Sequence, residues 1–253
     1  MKKKFDLDAL LGKPTQISER YHNSTKLKPN QKEADIAEWP SSWKKIYFKS
    51  YPRFDEVLMP QPQLNKNISL RDIIVKRTSK RAFAKTPLSL KQLSTLLYYS
   101  SGLKNTSDPD KGRFYPSAGA RYPLEIYLLS VNTEIPNGLY HYYLKNHSLE
   151  VLLPMKNINV FQYIAPQKWV KNVGCIIFTT AIFPRTTMKY GQRGYRHVLT
   201  ESGALLQNLL LVSTALKIGC CPVASYIDQK INTLLDIDGV EEAVVNTVLF
   251  GNS

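Results

Sequence analysis

Pro116-Ser117-Ala118-Gly119-Ala120-Arg121-Tyr122-Pro123-Leu124-Glu125 is the stretch on which the reading of this chain turns. Two prolines bracket a run with almost no side-chain bulk from Ser117 to Ala120, and Gly119 can adopt backbone angles closed to the other residues. Main-chain N–H groups in such a loop can come close to a flat ligand. A plain turn into a strand is the simpler alternative; the length and particularity of the string weigh against it. The apolar run Glu125 to Val131 that follows reads as a buried strand.

Downstream, Pro136-Asn137-Gly138 marks a turn, and Leu139 to Leu144 and Leu149 to Leu153 form a meander around Lys145-Asn146-His147-Ser148. Gly174 to Thr180 is another buried strand. The 3.6-residue spacing of Val198, Leu205, Leu206, Leu209, Leu210, Val212 and Leu216 predicts a long helix from about Tyr195 to Lys217, ended by Gly219. A shorter helix around Asp228 to Leu235 leads to a terminal strand, Ala243 to Phe250. Upstream, Ser89 and Gln92 make a capping box for a helix that stops near Gly102, and Ser69 to Lys76 also looks helical. Helices bracketing an antiparallel or mixed sheet define an α+β domain over residues 66–253. Residues 1–65 read as an irregular leading arm, with Trp39, Trp43, Tyr47, Phe48 and Tyr51 as anchors among recurring prolines and the polar run Asn23 to Lys32.

Composition narrows the function classes. The chain has 253 residues, 43% hydrophobic and 21% charged, enough for a substantial core. No uninterrupted apolar run reaches the ~18 residues of a spanning helix. Asp6 and Asp8 stand where a signal peptide needs an apolar stretch, so a cytoplasmic protein is expected. Three cysteines, two of them adjacent (Cys220, Cys221), make a poor disulfide framework, and four scattered histidines lack metal-ligand spacing, so no metal is expected. The net charge is +14, concentrated in two regions: Arg71 to Lys91, and residues 151–200, with seven basic and no acidic side chains. No nucleic-acid motif accompanies it. A solvated basic surface, a phosphate-bearing cofactor or an acidic peptide each accounts for the excess.

Two further strings can carry chemistry. Arg77-Thr78-Ser79-Lys80-Arg81 is R-x-S-x-R. Alternate residues of an extended chain point the same way, so Arg77, Ser79 and Arg81 can clamp a phosphate through charge-assisted bonds; taken alone, it is also an ordinary basic surface. Met188 to Gly203 (MKYGQRGYRHVLTESG) sets Lys189 beside Tyr190. An ammonium next to a phenol is one way to make tyrosine a base or proton relay. Helical neighbours do not face each other, so direct coupling requires a break in the helix. Glu201 and Asn208 share a helical face two turns apart and need polar partners. Gly203 between them suggests something packed closely against the helix.

Taken together and in order, these strings resemble the nitroreductase-like flavoproteins, and more narrowly the SagB-type azoline dehydrogenases. The resemblance begins at Tyr21-His22-Asn23-Ser24-Thr25-Lys26 and runs through R-x-S-x-R, PSAGARYPLE, Gly138-Leu139-Tyr140-His141-Tyr142, Lys189-Tyr190 with RGYR, and the C-terminal LFG. It implies an FMN-binding α+β fold whose homodimer builds two sites at the subunit interface. By the same resemblance Arg77, Ser79 and Arg81 hold the FMN phosphate and ribityl chain, and Pro116, Ser117, Ala118 and Gly119 line the ring. Glu201, Asn208 and Gly251 belong to the cofactor site, and Lys189 and Tyr190 are catalytic. One departure stands out: the chain reads Gly251-Asn252-Ser253, without the basic residue that many relatives carry after the last glycine.

The implied reaction removes two hydrogens from a peptide thiazoline or oxazoline to give a thiazole or oxazole. A proton goes to Tyr190 and a hydride to the flavin, with dioxygen as final acceptor. The expected partners are a precursor peptide, a second copy of the chain and a cyclodehydratase complex, without nucleic acid or membrane. The alternatives are a general NAD(P)H-dependent nitro- or quinone reductase on the same fold, and a non-catalytic peptide-binding scaffold of a synthetase complex.

Overall fold

The computed structural model describes residues 16–27, 40, 48–104 and 112–253. Asp6, Asp8, Trp39, Trp43, Tyr47 and residues 28–32 of the expected arm lie outside them. Among the described residues seven strands form one sheet: β1 (Glu56–Leu58), β2 (Leu124–Ser130), β3 (Gly138–Tyr143), β4 (Ser148–Pro154), β5 (Cys175–Ile182), β6 (Ile218–Pro222) and β7 (Glu242–Asn252). Their order is β1-β4-β3-β2-β5-β7-β6. Every pairing is antiparallel, so of the two expected sheet types the antiparallel one is found.

The central strands are apolar on both faces because both faces are covered. Leu124, Ile126 and Leu128 of β2 join Cys175 and Ile177 of β5 in one core. The intervening Tyr127 and Leu129, with Ile176 and Phe178, join the other. The first core is closed by α3 (Leu90–Ser101) and α5 (Gly194–Ala215); α6 (Asp228–Leu234) contributes Ile231 and Leu234 to the second. The capping box at α3 forms as read: Gln92 N–H donates to the Ser89 hydroxyl at 3.1 Å, and Ser89 N–H to Gln92 Oε1 at 2.8 Å.

Three expectations need correction. The long helix ends at Ala215, not Gly219; Lys217 turns the chain at a φ of +57°. Gly219 instead lies in β6, where a Cβ would fall 2.8 Å from the Phe83 ring, so its smallness serves packing. A Cβ built on Gly203 would meet no atom within 4 Å beyond its own helix among the described residues, contrary to the close neighbour inferred from it. The leading segment is not wholly irregular: it contains α1 (Gln16–Ser24), and β1 pairs with β4 at the sheet edge.

Helix α2 (Leu70–Lys76) buries none of its residues, and Leu70, Ile74 and Val75 are more than half exposed. Together with exposed Tyr195 and Leu199 on α5 they leave apolar surface uncovered in the single chain. Cys175, Cys220 and Cys221 are buried and free. Among the described residues no helix is long and apolar enough to cross a membrane.

Candidate active site

The loop before β2 and the helix after β5 meet. Residues Ala118–Ala120 form a 3₁₀ turn, followed by β2. On the other side of the sheet pairing, β5 runs into α4 (Pro184–Tyr190). A methyl group built on Gly119 would lie 2.6 Å from the Tyr190 hydroxyl and 2.8 Å from Lys189 Nζ. Gly119 is therefore favoured twice over, by its φ of +60° and by this approach. Ala120 (φ +54°) and Tyr122 (φ +45°) are also left-handed, a conformation that costs non-glycine residues on the order of 1–3 kcal/mol. The loop is thus held, not relaxed.

The clamps that hold it are visible. Tyr122 N–H donates to the Ser117 hydroxyl oxygen at 2.8 Å. Arg121 Nε donates to the Arg185 carbonyl at 2.7 Å and its Nη2 contacts Met188 Sδ, while Arg185 Nη1 donates to the Tyr122 carbonyl at 3.1 Å. Loop and α4 are cross-tied by these two arginines.

Arg185 is anchored in turn by Glu125 at 2.5 Å. Behind Glu125 the fully buried His141 bridges to it at 3.4 Å and to Glu150 at 2.6 Å. Burial alone would raise the Glu125 carboxyl and lower His141. The mutual hydrogen bonds, with Arg185, outweigh it, holding Glu125 down at about 2 and raising His141 above its ordinary value.

Lys189 and Tyr190 do interact, because the helix stops there. Tyr190 has φ −111° and ψ 5°, Gly191 follows with φ +54°, and Lys189 Nζ sits 5.3 Å from the Tyr190 ring centre. His197, which sequence reading passed over, packs edge-on against Tyr190 at 4.9 Å. Burial and Arg193 lower His197 from its ordinary value, favouring neutral imidazole. Seven residues and a helix break separate the two rings, so no spacing rule connects them. Arg121 and Arg185 were missed for the same reason: each looks like one more basic residue in a basic chain.

The string from Tyr21 to Lys26 docks on this turn. Arg193 donates to the Thr25 carbonyl at 2.8 Å, Arg196 to that of His22 at 2.5 Å, and the Tyr21 hydroxyl to that of Gln192 at 3.3 Å. Tyr21 packs edge-on against Tyr195.

Glu201 and Asn208 reach toward the same loop from α5. Asn208 Nδ2 donates to the carbonyls of Ser100 (3.1 Å) and Phe114 (3.2 Å), tying α5 to α3 and to the start of the loop. Glu201 is buried near Ser117 and Ala118, and burial pushes its carboxyl up to about 7. The structure thus brings Ser117, Ala118, Gly119, Lys189, Tyr190 and Glu201 together.

Arg77, Ser79 and Arg81 form a second group. Their segment is extended along the sheet edge, with Lys80 N–H donating to Cys220 and Ala84 N–H to Asn252. Arg77 and Ser79 are half-buried and Arg81 is exposed, its guanidinium 5.7 Å from the Trp169 ring. Gly251 is buried beneath Phe83, where a Cβ would fall 2.8 Å from that side chain.

One antiparallel α+β sheet thus carries a glycine-bearing loop facing a Lys-Tyr pair, with a separate basic R-x-S-x-R segment along its edge. The family model Nitroreductase family matches residues 74–252, and the chain belongs to that family. It is 33% identical over 177 residues to the nitroreductase-like protein MJ1384 of Methanocaldococcus jannaschii, covering 68% of this chain and 86% of the relative. It is 31% identical over 183 residues to the microcin B17-processing protein McbC of Escherichia coli, covering 66% of this chain and 64% of McbC. The Escherichia coli microcin synthetase McbBCD complex, solved with truncated pro-MccB17 bound, contains a chain of like fold: TM-score 0.59 at 22% identity, over 100% of this chain and 99% of that one.

Proposed function

We propose that this chain is an FMN-dependent azoline dehydrogenase of the SagB type, oxidising peptide thiazolines or oxazolines to thiazoles or oxazoles. The observation that carries the reading is the convergence of Gly119 with Lys189 and Tyr190. A general nitro- or quinone reductase needs the flavin loops but has no evident use for that pair. The similarity to McbC, a microcin B17-processing protein, supports a peptide substrate, and a cyclodehydratase partner is part of the same proposal.

The residues fit FMN, the cofactor that members of this family bind. The loop 117–120 offers backbone with little side-chain bulk in front of it, and the carboxyl oxygens of Glu201 beneath are without hydrogen bonds. Arg77, Ser79 and Arg81 would hold the phosphate and ribityl chain, and Ser117 to Gly119 would line the ring. What bound FMN supplies is the acceptor for the hydride that leaves the azoline ring carbon. Tyr190, as a phenolate whose negative charge the Lys189 ammonium offsets, would take the proton from the adjacent carbon and become a neutral phenol. Arg121 and Arg185 keep loop and helix at the separation this transfer needs. The uncovered apolar residues of α2 and of the first turns of α5 support a homodimer built across them.

The test is to load the protein with FMN, confirm the flavin absorbance, and supply an azoline-containing peptide. The expected result is loss of two hydrogens per ring by mass spectrometry. Rapid NADPH consumption with a simple nitroaromatic and no change in the peptide would favour the reductase. A colourless protein that takes up no FMN would favour a binding scaffold.

A further inference from the structure

One acid at the base of the site has no part in the proton and hydride transfer. Glu201 is 3% exposed, and neither of its carboxyl oxygens makes a hydrogen bond. The donors nearest to doing so are the Ser117 hydroxyl and the Ala118 N–H, both of which favour the ionised carboxylate. Ser117 is poised for it: its oxygen already accepts from Tyr122 N–H, leaving the hydroxyl proton to be given away. Arg113 also faces Glu201. It is itself 2% exposed, with Nη1 committed to Tyr115 and to the Leu124 carbonyl, and with Nε and Nη2 unpartnered. Among the described residues Tyr115 and Glu125 are the further titratable groups acting on this pair.

A carboxyl group is an awkward choice for a place that only needs filling, since a buried charge without hydrogen bonds is costly. Its value lies in having two states. Ionised, it attracts Ser117 O–H, Ala118 N–H and the Arg113 guanidinium; neutral, it loses most of that pull.

We propose that Glu201 is a positioning residue for the loop: as a carboxylate it draws Ser117 and Ala118 down and seats Gly119 against Lys189 and Tyr190, and as a neutral acid it releases them. The proposal rests on reading the loop and the Lys-Tyr pair as one site. Its sign follows from the same groups. Burial raises Glu201 from 4.5 to about 7, so the folded state is favoured by the proton below 4.5 and loses that advantage as the pH rises toward 7. The seated, ionised loop therefore exists at some expense in stability.

Wild type, Glu201→Gln and Glu201→Asp should be compared for FMN dissociation constant against pH, by flavin fluorescence, and for unfolding midpoint at about pH 5 and pH 8. In the wild type FMN binding tightens about tenfold as the pH rises through neutrality, the effect of one or two charge-assisted hydrogen bonds. In Glu201→Gln only the tightening that the FMN phosphate's own ionisation at about pH 6 brings remains, binding at pH 8 stays weaker than in the wild type, and the protein melts higher than wild type at pH 8. Glu201→Asp recovers part of the pH dependence. A merely structural glutamate gives the opposite result: Glu201→Gln melts lower at both pH values, or keeps the wild-type pH dependence, and either outcome overturns the proposal. Failure of the wild type to oxidise an azoline peptide would sink the substrate reading alone, because neither measurement here uses a peptide.

Discussion

The two halves of the proposed site are held in opposite ways. Around Gly119, Lys189 and Tyr190 the backbone is strained and tied from behind by Arg121, Arg185 and the Glu125–His141–Glu150 cluster, all buried or nearly so. Around Arg77, Ser79 and Arg81 the segment is extended and part-exposed, fixed through its backbone to β6 and β7. Proton transfer tolerates little displacement, which suits a preorganised setting for the groups proposed to react. Gripping an anion tolerates more, because charge acts at a distance and the ligand itself can order the arginines.

The largest break in that comparison is expected at the rigid half. Tyr190→Phe should leave the fold and FMN binding intact and lower azole formation at least about 100-fold, the scale of a lost general base. Retained turnover by mass spectrometry would remove Tyr190 from the chemistry. Next comes the tie behind it. Arg185→Ala strips the shorter of two cationic contacts from buried Glu125 and leaves it to His141, and losing a hydrogen bond to a charged group costs about 1.5–3 kcal/mol; the midpoint of thermal unfolding reads this directly. The same cluster gives a two-sided pH dependence of stability. Glu125, held at about 2 against 4.5, contributes fully above 4.5 and loses its contribution as the pH falls toward 2. His141, raised from 6.5, contributes below 6.5 and loses its contribution as the pH rises through its higher folded value. Glu125→Gln should flatten the acid side of that profile.

A smaller effect tests the approach itself. Gly119→Ala must displace the Tyr190 hydroxyl and Lys189 Nζ, both ends of side chains that can give way, and must accept a left-handed φ. A fall in kcat of about tenfold with about 1 kcal/mol of lost stability is expected. An unchanged kcat would mean the loop and the pair do not work at contact distance.

This contrast also explains what could be read from sequence. Periodicity and the Ser89–Gln92 capping box gave α3 and most of α5, and the apolar runs gave β2 and β5, because each depends on residues near one another in the chain. The three-residue β1 and the short β6 carry no such pattern; β6 was hidden by apolar residues that continued the helical stripe past Ala215. At the site, Lys189, Tyr190 and the PSAGARYPLE loop were legible as unusual strings. Their supports were not. Arg121, Arg185, His141 and His197 acquire meaning only when strands 124–130 and 175–182 pair and bring loop and helix together. Gly203 misled because a missing side chain looks the same whether it makes room for this chain or leaves the face open.

The exposed half gives the smallest single effects and the sharpest additivity test. Arg77 and Arg81 both reach an anion only if their segment stays extended, which the Lys80 and Ala84 backbone bonds ensure whatever the side chains are. Arg77→Ala and Arg81→Ala should therefore each weaken FMN binding about tenfold without lowering the unfolding midpoint of the FMN-free protein. Four residues apart and tied to no common protein partner, they should act nearly independently, so the double variant should lose about 100-fold. Both losses should shrink as salt is raised, more for exposed Arg81 than for half-buried Arg77, since screening acts on the charge that water reaches. A double variant with undiminished FMN affinity would move the phosphate away from R-x-S-x-R and leave the rigid half to bind the cofactor alone.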